Sequence, residues 1–226
     1  MLQQALNLIL TLDPVVVEIA GLSLRVSTMA VCLAAAVGLP AGLVIGLSEF
    51  PGRRLVITLF NALMAMPTVV VGLMVYFILS RSGPIGFMGM LYTPWAIVIG
   101  EFILILPLVT GLSISATMTM DRRVVESAIL LGASRLRMMG VALRENRFGF
   151  AAAVIAAFGR AIAEVGVAVM VGGNIAGHTR TLTTAAVLET TRGEFQVGIA
   201  MGIILLVIAL AVNLLFQAIQ GMARKT

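Results

Sequence analysis

Residues 26–48 read VSTMAVCLAAAVGLPAGLVIGLS, a run without a single charged side chain. A helix rises about 1.5 Å per residue and the hydrocarbon layer of a bilayer is about 30 Å thick, so roughly 20 apolar residues span it. The whole chain of 226 residues is 60% hydrophobic and 11% charged, with a mean hydropathy of +1.11. Soluble domains carry about 25% charged residues. We therefore expect an all-α, polytopic membrane protein.

Four further apolar runs follow the first. The predicted spans are residues 26–48, 55–80, 94–120, 148–171 and 196–217, within one transmembrane domain of residues 1–226. The amphipathic residues 2–12 are too short to span and are expected to lie along the surface, with a re-entrant sixth segment left open. No basic residue precedes Arg25, so the first span lacks the n-region of a cleaved signal peptide and is expected to be retained.

The arginines predict the orientation of the chain. Placing the N-terminus outside leaves four basic residues outside (Arg25, Arg81, Arg180 and Arg192), Arg160 within a span, and the other ten of the 15 basic residues inside. An excess of basic residues in cytoplasmic loops is typical of membrane proteins. We therefore predict an outer N-terminus and an inner C-terminus, and no binding of nucleic acid.

Three residue types present only once exclude several chemistries. Cys32 is the only cysteine, so no internal disulfide is expected, and with His178 as the only histidine no metal site is predicted. A phosphate-binding P-loop needs a lysine after its glycine-rich turn, but the only lysine is Lys225 near the C-terminus. We therefore predict no catalytic residue, no enzymatic activity and no cofactor in this chain.

Glycines recur at intervals of four residues in two of the predicted helices. Gly38, Gly42 and Gly46 form two overlapping GxxxG units in the first span, and Gly198 and Gly202 repeat the spacing in the fifth. This spacing lets helix backbones approach closely in membranes. The alternative is that glycine is simply frequent in membrane helices.

The longest polar stretch predicted inside the cell is the loop of residues 121–147. It has the pattern of a helix, a glycine break and a second helix. Asp121 is a candidate N-cap, Gly132 a candidate left-handed C-cap, and Ser134 a candidate N-cap for the second helix. This pattern alone predicts only a compact surface helix-turn-helix.

Residues 126–134, ESAILLGAS, resemble the EAA loop of ATP-binding-cassette (ABC) importer permeases, with Ser127 in place of the middle alanine. The second half of the loop departs from the family, since Arg144 and Glu145 stand where leucine and proline are usual. The resemblance implies a type I importer permease fold with a cytoplasmic coupling helix that docks on a partner ATPase. It assigns ATPase coupling to Glu126, Ser127, Ala128, Gly132, Ala133 and Ser134.

Two other segments resemble the tungstate, molybdate and sulfate branch of these permeases. They are MPTVVVGL at residues 66–73 and the stretch from residue 159 to 195, which includes GRAIAEVG at 159–166 and VGGNI at 171–175. The likeness is closest to the tungstate permeases, because Gly177 stands where molybdate and sulfate members carry proline. It implies a translocation path or gate that includes Met66, Pro67, Thr68, Arg160 and Glu164.

Ionisable side chains within predicted spans are costly and normally face the bundle interior or a water-filled path. Arg160 and Glu164 are one helical turn apart, which favours a structural ion pair over direct contact with substrate. Glu101 lies near the predicted outer boundary of its span, where we expect it to be hydrated. These carboxylates leave an ion-coupled secondary transporter open as an alternative.

The predicted outer loop before the fifth span is rich in groups that suit an oxyanion. Backbone N–H groups, hydroxyls and a guanidinium hold such ions well. We favour gating and docking of a binding protein over a defined anion site for this loop. The candidate outer-mouth or anion-contact residues are Gly172, Gly173, Asn174, Thr179, Arg180 and Thr181.

The resemblance implies a complete importer in a bacterial or archaeal cytoplasmic (inner) membrane. Its expected parts are a homodimer of this chain in membrane lipid, two ATPase subunits that bind ATP and Mg, and an extracytoplasmic oxyanion-binding protein. The expected cargo is tungstate, with molybdate or sulfate as the alternative. A purely structural membrane subunit is a third hypothesis.

Overall fold

The structure is a computed structural model that describes residues 13–120, 123, 127, 130, 132 and 134–223. These residues form helices and turns, with no strand among them, which confirms the predicted all-α fold. The α-helices with defined bounds in these ranges are α1 (Pro14–Leu47), α2 (Arg53–Met64), α3 (Thr68–Leu79), α4 (Pro94–Met118), α5 (Arg135–Glu145), α6 (Arg147–Ile162), α7 (Gly166–Gly172), α8 (Leu182–Thr191) and α9 (Phe195–Ala223).

Three helices are long and apolar enough to cross a membrane unbroken: α1, α4 and the part Phe195–Leu214 of α9. Two bent pairs pass the same test jointly. Helices α2 and α3 meet at 95°, and α6 and α7 meet at 58°. Counting each bent pair as one span gives five, in the order that the sequence predicts, but the second and fourth spans are broken rather than continuous.

Helix α1 is longer than its predicted span. It begins at Pro14, where the Asp13 carboxylate accepts hydrogen bonds from the Val15 and Val16 N–H groups at 2.9 and 3.4 Å. Proline at the first helical position and aspartate before it are strong start signals. The span predicted from hydropathy, residues 26–48, misses the first part of the helix because it begins after the charged Arg25. The helix has 34 residues, about 50 Å, so part of it lies beyond the hydrocarbon layer.

The C-terminal end of α1 is closed by an arginine from the next helix. Arg53 donates from Nε to the Ile45 carbonyl at 3.0 Å and from its guanidinium terminus to the Gly46 carbonyl at 2.6 Å. The last carbonyls of a helix have no partner within it and carry the negative end of its dipole. Arg53 therefore binds the end of α1, in addition to being one of the basic residues that predict the orientation of the chain.

The glycines of α1 form its contact with α4. A Cβ at Gly38 would lie 2.9 Å from Val109, one at Gly46 would lie 2.5 Å from Thr117, and one at Gly42 would overlap Ser113. The close-packing interpretation of these three glycines is confirmed. In α9, a Cβ at Gly198 would meet Thr190 of α8 at 2.5 Å, whereas nothing lies within 4 Å of one at Gly202. Gly202 therefore agrees with the alternative interpretation, that glycine is simply frequent in membrane helices.

Helix α4 lies at the centre of the bundle. It packs against α1, α2, α3, α6 and α7, and its buried residues Ile97, Ile105 and Val109 belong to the largest apolar cluster. The chain continues as one helix through Pro107. A second cluster joins the N-terminal part of α1 to α8 and α9 through Ile19, Leu182, Met201 and their neighbours. The polar groups described next lie around these helices.

Candidate functional site

The breaks in the two bent pairs lie next to each other. A Cβ placed on Gly166, the first residue of α7, would stand 2.7 Å from the Thr68 hydroxyl of α3 and 3.3 Å from the Glu164 carboxylate. The first break comprises residues 65–67, which include Met66, and Pro67 immediately precedes α3. The structure thus brings together residues that the sequence assigned to a path or gate from segments about 100 positions apart.

The polar backbone at the second break is satisfied by side chains and by α8. Glu164 accepts a hydrogen bond from the Val167 N–H at 3.2 Å, and its own carbonyl accepts one from the Thr183 hydroxyl at 2.7 Å. Leu182, which precedes Thr183, donates its N–H to the Ser23 hydroxyl of α1 at 2.8 Å. Irregular backbone at membrane depth persists only where such partners exist. Ser23 and Thr183 were not predicted, because their partners are distant in sequence.

Arg160 lies on α6 with its side chain 46% exposed, and its guanidinium is 3.9 Å from the Glu164 carboxylate, which is 3% exposed. The structure therefore contains the ion pair expected from the sequence, at a long separation. Arg160 is 13 residues beyond Arg147, the start of α6, or about 20 Å along the axis. A charge at that depth is costly in lipid. Its exposed side must therefore meet water or protein.

Glu101 is buried within α4, 2% exposed, and the expectation of a hydrated carboxylate at the outer boundary is wrong. The helix places it two turns after Pro94, against α1 and α7 rather than at the surface. The Ser27 hydroxyl and the Glu164 carboxylate are both close enough to interact with its carboxyl group. Its Oε2 atom has no hydrogen-bond partner among the described residues.

Most of the predicted outer-loop residues are engaged within the fold. Thr179, fully buried, donates to the Gly172 carbonyl at 2.5 Å and accepts from the Ile175 N–H at 3.0 Å. Thr181 caps α8 in a capping box with Thr184. Thr179 thus holds the loop against α7 and Thr181 begins α8, so both hydroxyls are engaged within the fold in this conformation.

The glycines and asparagine of the loop serve its turns. Gly173 and Asn174 have φ angles of 71° and 51°, in the left-handed region that glycine and asparagine tolerate best. The Asn174 amide donates to the Thr184 carbonyl at 3.3 Å. The Tyr92 ring would lie 2.8 Å from a Cβ on Gly173, and the Tyr92 N–H donates to the Val171 carbonyl at 2.9 Å.

Tyr92 also packs edge to face on Tyr76 of α3, with ring centroids 6.4 Å apart. Hydrogen bonding to Tyr76 raises the pKa of the Tyr92 hydroxyl, with burial acting in the same direction. The C-terminal end of α7 is thus held between α3 and the loop before α4.

Arg180, one of the candidate outer-mouth residues, lines an open cavity. The cavity, of about 430 Å³, lies between the N-terminal part of α1 and the loop before α8, and its charged or titratable walls are Glu18, Arg25, His178 and Arg180. Sequence inspection missed the first three as a group, because residues 18–25 and 177–180 are joined only by the fold.

The described part of the coupling loop agrees with its predicted geometry. Gly132 has a φ angle of 73° and Ser134 caps α5 by accepting from the Arg137 N–H at 3.4 Å, so both capping predictions are confirmed. Ser127 is exposed, and Leu130, which the sequence did not single out, is 87% exposed. The predicted sites Glu126, Ala128 and Ala133, the candidate cap Asp121 and residues 2–12 lie outside the described residues.

Comparison with known proteins places this geometry in context. Residues 38–225 match the family described as "Binding-protein-dependent transport system inner membrane component". A tungstate uptake system permease protein from Peptoclostridium acidaminophilum is 39% identical over 216 residues, or 96% of this chain and 95% of that protein. A probable anion ABC transporter permease protein from Haloferax volcanii is 43% identical over 204 residues, 88% of each chain.

More distant relatives carry related cargoes in their names. The molybdenum transport system permease protein of Escherichia coli K12 is 28% identical over 76% of this chain and 80% of its own length. Among solved structures, a chain from an amino acid ABC transporter with histidines matches with a TM-score of 0.70 at 20% identity, over 95% of this chain and 96% of that one. That likeness concerns the fold.

Proposed function

The chain belongs to the family of binding-protein-dependent transport system inner membrane components, and from that membership we propose that it is the permease subunit of an ATP-driven oxyanion importer. Tungstate is the proposed cargo, and molybdate or sulfate transport by the same class is the alternative. The names of the relatives at 39% and 43% identity support the class of cargo. As a family member, the chain is a multi-pass inner membrane protein.

The structural observation that carries the proposal is the meeting of the two broken helices beside an exposed arginine. Transporters commonly build substrate paths from discontinuous helices, whose unwound segments offer polar groups at membrane depth. Here Thr68, Arg160 and Glu164 stand at that junction. A guanidinium with one long ion-pair contact retains N–H donors for a passing anion.

The exposed side of Arg160 also supports a homodimer. Ala163 is exposed and follows Arg160 closely in the sequence. Pro67 is exposed at the adjoining break between α2 and α3. Lipid is a poor neighbour for the charge. A second copy of the chain that encloses water at this surface would complete the path, which five spans in one chain enclose only partly.

Coupling to ATP is assigned to the cytoplasmic loop. We propose that Leu130, exposed beside the Gly132 turn, enters an apolar groove of a separate ATPase, together with the sites at residues 126–128 and 133–134. ATP and Mg would be bound by that ATPase, since this chain has no P-loop lysine. ATPase closure would move α5 and α6 and open the path outward, and hydrolysis would reverse the motion. An extracytoplasmic binding protein would deliver the ion.

The test is uptake of tungstate by cells with and without this chain, with molybdate or sulfate as competitors and with the partner ATPase intact or inactivated. Uptake that needs both proteins and resists excess molybdate fits a tungstate importer. Uptake that yields to molybdate or sulfate would keep the mechanism and change the cargo.

A secondary transporter is the rival favoured by the buried carboxylates Glu101 and Glu164. It predicts uptake that persists without the ATPase and collapses with the proton gradient. That result would remove the ATP-driven mechanism.

A further inference from the structure

We propose that the cavity walled by Arg25, His178 and Arg180 is an entry site for the oxyanion, where the ion rests after leaving the binding protein and before reaching the helix breaks. This inference rests on the proposed function for the identity of the ion. The cavity lies at the predicted outer end of the bundle, where α1 extends past its predicted span.

The positive charges of the cavity are only partly neutralised. Arg180 is 3.7 Å from the Glu189 carboxylate, but the same oxygen is also contacted by Arg192 at 3.4 Å. The buried Nε of Arg180 has no acceptor among the described residues. Arg25 has no ion-pair partner in the part of the chain that the structure describes. An acceptor with several oxygens is the ligand that such donors lack.

The loop is built to present these side chains. The Ile175 carbonyl accepts from three successive N–H groups, those of His178, Thr179 and Arg180, at 3.2, 2.9 and 3.0 Å. Thr179, buried between them, anchors the turn to the end of α7. His178 and Arg180 therefore flank a fixed residue and both line the cavity, rather than extending from a free loop.

The cavity also contains an opposing charge. Glu18 lines it, and its carboxylate would lie 3.9 Å from a Cβ on Gly177. The two arginines and one glutamate that line the cavity sum to a charge of +1, and the Glu189 carboxylate that pairs with Arg180 is shared with Arg192. A transit site must bind its ion strongly enough to admit it and weakly enough to release it. Because Glu18 offsets part of the positive charge of the cavity, the cavity suits brief binding of an anion in transit better than tight, long-lived binding.

A cysteine in the cavity wall reports its electrostatic potential without a transport assay. Gly21 lines the cavity and nothing lies within 4 Å of a Cβ there, so Gly21→Cys is tolerated on steric grounds. The full chain with Cys32→Ser and Gly21→Cys, in lipid nanodiscs, is treated with an anionic and a cationic methanethiosulfonate. We expect the anionic reagent to react faster than the cationic one, relative to their rates with a free thiol.

Removing one cavity charge provides the matched comparison. Arg25→Gln should lower the ratio of anionic to cationic rates about threefold, since a unit charge at this range acts on both reagents in opposite directions. Arg81→Gln removes the same charge from an exposed loop position outside the cavity and should leave the ratio unchanged. Arg180→Gln provides a second test should Arg25→Gln reduce the yield of folded protein.

Protection by ions identifies the ligand. Tungstate, molybdate and sulfate, each compared with chloride at equal ionic strength, should slow the reaction of the Gly21→Cys thiol with the anionic reagent. Arg25→Gln should abolish this protection. No anionic preference, equal effects of Arg25→Gln and Arg81→Gln, or no protection by any of the three ions would overturn the site. Protection only by the binding protein without its ion would also overturn it and indicate a docking surface.

The proposed function can fail separately. Cells that lack ATP-dependent oxyanion uptake, combined with protection in nanodiscs, would remove the importer and keep the anion site. ATP-dependent uptake without protection would keep the importer and remove the site.

Discussion

Gly42 of α1 faces α4 at a distance that leaves no room for a side chain. A Cβ there would overlap Ser113 and lie 2.8 Å from the Thr110 carbonyl oxygen. Backbone atoms cannot rotate away as a long side chain can. The close approach of α1 and α4 therefore depends on this position in a way that glycine frequency alone does not explain.

We expect Gly42→Ala to lower the free energy of unfolding by about 1–3 kcal/mol, because the added methyl group overpacks the helix contact. Gly202→Ala is the control, since open space surrounds that position, and it should be neutral or stabilise by up to about 1 kcal/mol through lower backbone entropy in the unfolded chain. Titration of the purified protein with SDS in mixed micelles measures both. Equal losses in the two variants would contradict the packing argument.

Thr183→Val should also destabilise the protein. The Thr183 hydroxyl donates to the Glu164 carbonyl at the α6–α7 break, and leaving that buried acceptor unpaired costs about 1–3 kcal/mol. In Thr191→Val the lost hydrogen bond is exposed and lies within α8, so we expect little change. The same titration compares the two, and a neutral Thr183→Val would show that the break is satisfied by other means.

At the scale of elements, hydropathy predicts where the spans lie but not how they bend. The 95° bend at the start of α3 has a sequence signal, because Pro67 cannot donate in a helix and restricts the residue before it. The 58° bend at Glu164 has none, since no proline is present and the break is stabilised by Thr183 of α8. The early start of α1 is missed because Glu18 and Arg25 lower its hydropathy.

The candidate site was predictable to a similar degree. Segments that resemble a known family identified Thr68, Arg160 and Glu164, and the structure places them at one junction. The cavity residues Arg25 and His178 could not be paired from the sequence, because 153 positions separate them.

Gly132→Trp tests the coupling loop as an element. Gly132 has a φ angle of 73° and nothing lies within 4 Å of a Cβ there, so the large side chain should strain only the local turn and leave the bundle folded. It should abolish co-purification with the ATPase and ATP-dependent transport. Gly89→Trp is the matched control, with a φ of 61°, equally open surroundings and a predicted position on the opposite side of the membrane.

Retained ATPase binding in Gly132→Trp would remove the coupling assignment. Loss of binding in both variants would indicate that the effect arises from general misfolding instead.

At the scale of the whole molecule, the exposed surface beside Arg160 should be wet or covered by a second copy. Ala163→Cys, in a Cys32→Ser chain, is expected to react with a charged methanethiosulfonate or to form a cross-linked dimer in the assembled transporter. Leu210→Cys, on α9 at a position that is 60% exposed, should do neither because it faces lipid. Mass spectrometry and non-reducing gels measure the two outcomes, and an unreactive, monomeric Ala163→Cys would place that surface in lipid.

The glycine contact between α1 and α4 restricts how such an assembly can move. With backbones this close, the two helices cannot slide or rotate past one another without collision. We therefore expect them to move together as one rigid unit. Both parts of the second bent pair contact this unit, since α6 packs against α1 and α4 and α7 packs against α3 and α4. We therefore expect the break between α6 and α7 to be where the chain bends when a force acts on α5 and α6.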